Sequence, residues 1–123
     1  KLTNKKITFL GVTFKPNTDD MREATSIPMI NYFNKKNCKI TYYDPSGQKN
    51  EFKNLKNVKY SNSSSTACLN ADLIILHTEW NEFKLLNFKK LVKKNNFKIF
   101  DMRNLYSPSK MKKLKIKYFG IGR

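Results

Sequence analysis

A chain of 123 residues with 39% apolar and 13% aromatic side chains carries enough hydrophobic material for one packed domain, which excludes a disordered tail. Its 25 basic against nine acidic residues give a net charge of +16, yet 22 of those bases are lysines scattered from Lys1 to Lys117, and 15 further residues are asparagine. Lysine and asparagine in excess without arginine match a codon bias towards A and T. A dedicated phosphate reader would favour guanidinium forks, so polyanion binding is the alternative function and not the expected one.

The first four residues precede any pattern and, in a chain that opens with Lys1, read as the remnant of an interdomain segment. Lys5–Gly11 (KKITFLG) is a short apolar run stopped by glycine, as expected of a buried strand. Ser26 is placed to cap a helix in which Pro28 is tolerated in the first turn and Ile27, Ile30 and Phe33 share one face. Lys39–Tyr43 (KITYY) predicts a second strand, cut by the turn sequence Asp44-Pro45-Ser46-Gly47. Asn57–Ser61 predicts a brief third strand and Thr66–Asn70 at most a short helix. Asp72–His77 (DLIILH) is the most apolar run and is expected at the centre of the sheet. Phe88, Leu91 and Val92 mark a helix ending near Asn95 and Asn96, and Lys98–Asp101 (KIFD) follows as a strand. Ser107 and Pro108 open a last short helix, and Lys117–Gly120 closes the sheet. Strands alternating with helices predict an α/β fold: one domain over residues 5–123, a doubly wound, mostly parallel Rossmann-like sheet with helices on both faces.

No apolar run approaches the roughly 18 residues of a membrane span, and the two cysteines lie in no metal-ligand or redox spacing. Two reduced thiols in a cytoplasmic protein are expected, with no metal and no membrane partner. A doubly wound sheet holds its ligand outside the carboxyl ends of its strands, where strand order reverses. Three segments fall there: residues 13–22, 78–83 and 102–106. The first lacks a GxGxxG phosphate turn, since Gly11 is followed by Val12, Thr13, Phe14 and Lys15, and only four glycines occur in the whole chain. A self-sufficient dinucleotide-binding domain is thereby disfavoured.

Within the first segment Lys15 and Arg22 can hold an anion by a point charge and a fork, or the segment is a capped loop with Arg22 paired to Asp19 or Glu23. Arg103 can clamp a phosphate or sugar with Asp101 orienting it, or the two form a surface ion pair. His77, the single histidine, reads as a hydrogen-bonded strand-end residue rather than a metal ligand, and neither Cys38 nor Cys68 is placed as a nucleophile.

The segments GVTFKPNTDDMREATS, YYDP, ADLIILHTEWNEF, FDMRNLYSP and YFGIGR, in this order and spacing, resemble the C-terminal domain of the UDP-glucose 6-dehydrogenases, within the nucleotide-sugar dehydrogenase superfamily. The GDP-mannose and UDP-N-acetylhexosamine branches are the nearest alternatives. The resemblance implies a nucleotide-sugar-binding domain of an enzyme that oxidises the sugar C6 alcohol in two NAD-dependent steps through a cysteine thiohemiacetal. NAD would be bound mainly by an N-terminal domain absent from these residues, the catalytic cysteine would lie in segments that are likewise absent, and a homodimer is implied for the whole enzyme. By motif position Phe14, Lys15 and Arg103 match substrate contacts, and Arg22 matches an arginine reaching NAD across the domain cleft. The 123 residues alone are expected to be inactive.

Overall fold

In a computed structural model, which describes residues 1–122, every predicted strand forms and all six join one sheet. Strand β1 is Lys6–Leu10, β2 Lys39–Tyr43, β3 Val58–Tyr60, β4 Leu73–Leu76, β5 Lys98–Asp101 and β6 Lys117–Gly120. Their order is β3-β2-β1-β4-β5-β6, and every neighbouring pair is parallel rather than mostly so. β4 is interior, as its unbroken apolar run predicts, because a strand covered on both faces has no polar side to show. Ile74, Ile75 and Leu76 are each at most 1% exposed, which stabilises the fold by about 1.5–3 kcal/mol per side chain.

The alternation of side chains across the sheet divides the core in two. On one face Ile7, Phe9, Ile40, Tyr42 and Ile75 pack beneath helix α1, Ser26–Lys35, with Ile30 and Phe33 as its contacts. On the other, Leu10, Ile74, Leu76 and Ile99 pack beneath α2 (Ser64–Cys68), α3 (Phe88–Val92) and α4 (Pro108–Lys113). The predicted second and third helices shift. α2 starts at Ser64, because the Ser63 side chain accepts from the Thr66 amide and caps it. α3 stops at Val92 and not at Asn95, because Lys93 adopts a left-handed conformation, φ 55°.

Asparagine substitutes for glycine in this glycine-poor chain. Asn4, Asn17, Asn37, Asn70 and Asn104 all take positive φ, a region asparagine visits at lower cost than other non-glycine residues. Two of these turns stop an element, Asn37 after α1 and Asn104 after β5. The asparagine excess therefore does structural work, whatever its origin in codon usage.

Candidate functional site

The chain reverses direction across the sheet between β1 and β4, so the loops leaving β1, β4 and β5 meet at one edge. The β1 loop is anchored by its main chain. Val12 N–H donates to Asp44 Oδ2 at 2.7 Å and Thr13 N–H to the same oxygen at 3.3 Å. The Ser26 hydroxyl donates to Val12 O at 2.6 Å, and the Thr78 hydroxyl to Thr13 O at 2.7 Å. Phe14 N–H donates to Asp20 O at 2.9 Å, and Arg103 Nη2 to Phe14 O at 3.0 Å. Each main-chain polar group from Val12 to Phe14 thus has a partner. Above this base Phe14 is 46% exposed, and the Lys15 ammonium pairs with no acid among the described residues.

Arg103 ties the three loops together. Its Nε donates to His77 O at 2.8 Å while Nη2 reaches Phe14 O, and Glu79 Oε1 lies 3.7 Å from Nε. Asp101 does not pair with this guanidinium. It is fully buried and accepts the amides of Arg103 and Tyr106 and the Tyr118 hydroxyl, which shapes the turn after β5. The turn is held by the carboxylate; the guanidinium is left for the loops.

Arg22 lies in the same β1 loop but is differently engaged. Its Nε and Nη2 both donate to Asp20 at 3.0 Å, so its partner is Asp20 rather than Asp19 or Glu23. The pairing holds the Asp20 carboxyl at about 2, but the Arg22 side chain is 89% exposed, so the bridge contributes little to stability. The structure joins Arg103 to the Phe14–Lys15 turn and leaves Arg22 facing solvent at the same sheet edge.

Between α1 and β4 lies a network that sequence reading missed. His77 Nδ1 is 2.9 Å from Thr78 Oγ1, whose proton goes to Thr13 O, so Nδ1 carries the ring hydrogen. Nε2 then accepts from the Thr25 hydroxyl at 2.8 Å. Thr25, with α-helical backbone angles and no side-chain cap, precedes α1, and Ser26 is the first helical residue rather than the cap. Both hydroxyls that could have capped the helix are drawn to distant partners. A dinucleotide pyrophosphate would need this gap between the first loop, the α1 N-terminus and the end of β4. Here Thr25, His77, Thr78 and the Thr13 carbonyl form one hydrogen-bonded chain across it.

Burial, with the nearby Arg103 charge, lowers the His77 pKa from 6.5 to about 4. The folded state therefore requires the neutral ring. This contribution to stability is complete above pH 6.5 and is lost as pH falls towards 4, by about 3 kcal/mol in all. Urea unfolding across this window should show that loss, and His77→Gln should flatten the slope. An unchanged slope in the variant would assign the acid sensitivity to the carboxylates instead.

Cys38 and Cys68 are both free and buried, and burial raises the Cys38 thiol above its ordinary pKa and that of Cys68 to about 12. Neither is poised as a thiolate nucleophile. Among the described residues no group of three or more His, Cys, Asp or Glu could hold a metal, and no helix is long and apolar enough to cross a membrane.

Residues 8–108 match the UDP binding domain of the UDP-glucose/GDP-mannose dehydrogenase family. The chain belongs to that family. It is 36% identical to UDP-glucose 6-dehydrogenase of Rhizobium meliloti (strain 1021), over 99% of this chain and 28% of that protein. It is 38% identical to UDP-glucose 6-dehydrogenase of Rickettsia conorii (strain ATCC VR-613 / Malish 7), over 98% of this chain and 29% of that protein. The NDP-N-acetyl-D-galactosaminuronic acid dehydrogenase of Methanosarcina mazei Go1 superposes with a TM-score of 0.85 at 26% identity, covering all of this chain and 26% of that one. The chain thus spans less than a third of the length of these relatives. Arg123, the last residue of the YFGIGR motif, lies outside the described residues.

Proposed function

We propose that residues 5–123 are the UDP-sugar-binding domain of an NAD-dependent UDP-glucose 6-dehydrogenase, which converts UDP-glucose to UDP-glucuronate in two oxidations. Residues 1–4 would end the segment leading from the rest of the enzyme, a cytoplasmic homodimer. The observation that carries the reading is the exposed Phe14–Lys15 turn, held from below by hydrogen bonds on the main-chain groups of Val12 to Phe14 and joined to Arg103 at the strand-order reversal. In this reading Phe14 packs against the nucleotide sugar, Lys15 supplies a point charge to the diphosphate and Arg103 offers its remaining N–H groups. Arg22, exposed at the same edge, reaches towards NAD. NAD supplies the hydride acceptor when bound; its phosphate turn and the catalytic cysteine belong to the other domains. Binding energy on the nucleotide, remote from the reacting carbon, then positions the sugar for chemistry elsewhere.

Titration calorimetry with UDP and with inorganic pyrophosphate, repeated at about 0.5 M salt, tests the reading because salt suppresses the diffuse lysine field. UDP is expected to keep saturable binding and to outcompete pyrophosphate. Equal and vanishing binding of both would return the chain to the polyanion-binding class. The same 123 residues should make no NADH from UDP-glucose, and steady NADH production would overturn the assignment of catalysis to other domains.

A further inference from the structure

We infer that Asp44 is a positioning residue for the Phe14–Lys15 turn, an inference that rests on the function proposed above. The carboxyl group is fully buried at the end of β2 and touches no open surface. β1 and β2 stay paired up to the hydrogen bond from Gly11 N–H to Tyr43 O, at 2.8 Å. One residue later the side chain of Asp44 replaces main chain as the acceptor, and a single oxygen takes both the Val12 and Thr13 amides. Two consecutive amides converging on one atom force the chain to turn out of the strand, and Phe14 and Lys15 follow at once.

The other oxygen is equally committed. Oδ1 accepts the Ser46 amide at 2.9 Å and the Ser46 hydroxyl at 2.6 Å, and that hydroxyl in turn accepts from Lys49 Nζ at 2.6 Å. Dinucleotide-binding domains place a ribose-binding carboxylate near this strand end. Here the carboxylate is turned inward and all four of its contacts are intramolecular donors, so it acts on a ligand only through the loop. Asparagine cannot take its place, because its NH₂ group would confront one pair of those donors. A turn already held in its bound shape binds without a further ordering cost.

The test measures UDP affinity of the 123-residue chain and hydrogen exchange of its amides. Asp44→Asn is expected to weaken UDP binding about tenfold or more and to speed exchange at Val12 and Thr13. Ser46→Ala, which removes one donor on the far oxygen, should stay within about twofold of the parent in affinity. Combined with Phe14→Ala, Asp44→Asn should add less than its separate effect, because both act through one turn. Additive effects, or parental affinity in a folded Asp44→Asn chain, would overturn the role. If Asp44→Asn unfolds, the Ser46→Ala chain decides: parental exchange at Val12 and Thr13 alongside unchanged affinity supports the role, and weakened affinity with parental exchange there overturns it. Absence of UDP binding by the parent would defeat the proposed function alone. Exchange would then judge Asp44: selective acceleration at Val12 and Thr13 supports the role, and uniform acceleration overturns it.

Discussion

Gly11→Ala should destabilise the domain by about 2–5 kcal/mol, combining left-handed strain with overpacking against a neighbour that cannot retreat. Gly11 has a φ of 77°, and a methyl group there would sit 2.6 Å from Thr78 Cβ and 2.8 Å from Thr78 O. The contact is with a residue whose position is fixed twice over. Thr78 N–H donates to Leu10 O, and its hydroxyl donates to Thr13 O. Pushing Thr78 away therefore breaks the anchor of the β1 loop and disturbs the hydrogen bond to His77. Gly47 is the natural control, because its φ is 101° but nothing lies within 4 Å of the added carbon. Gly47→Ala should cost only the conformational part, about 1–2 kcal/mol. Urea denaturation of both variants separates the two causes, and equal losses would show that the approach of Thr78 is not limiting.

The strands were legible because each is an apolar run bounded by a residue with its own reason to stop it. Gly11, Asn37 and Asp44 are examples, with positive φ at the first two and a side chain that captures neighbouring amides at the third. The parallel arrangement follows from the alternation with helices, and it places the loops after β1, β4 and β5 at one edge. The start of α1 was legible only approximately. Local rules favour Ser26 as a cap, but its hydroxyl is worth more on the buried carbonyl of Val12 than on a solvated helix end.

The candidate site was legible as a set of cations and illegible as a network. Arg103 and the Phe14–Lys15 turn share an edge because strand polarity requires it. The groups they meet are largely carbonyls and amides, which carry no signature in sequence. Asp44 read as part of a turn, and its hold on Val12 and Thr13 depends on pairing between strand residues 33 apart in sequence. Arg22 illustrates the converse. A fork and several nearby carboxylates were visible, but which acid it meets was decided by the local turn, where Asp20 also accepts the Arg22 amide.

Arg103→Lys is the substitution expected to affect ligand binding most for the least loss of fold. In a chain with 22 lysines and three arginines, a guanidinium at this place has to do what an ammonium cannot. It spans two carbonyls from different loops, His77 O at 2.8 Å and Phe14 O at 3.0 Å, and still has N–H groups pointing elsewhere. It also stands 3.7 Å from Glu79 Oε1, a buried oxygen with no hydrogen-bond partner among the described residues. Lysine keeps the charge but brings one nitrogen, which can serve one carbonyl and leave the other and the Glu79 oxygen poorly met. The loss of one charge-assisted bond and of the tie between loops should weaken UDP binding by about 1–3 kcal/mol, or roughly five- to 150-fold. The thermal midpoint should fall only slightly, because the Arg103 side chain is 32% exposed and the packed core does not depend on it. Salt dependence should be nearly unchanged, since the net charge is the same. Parental UDP affinity in Arg103→Lys would show that the fork is dispensable and that charge alone serves at this position.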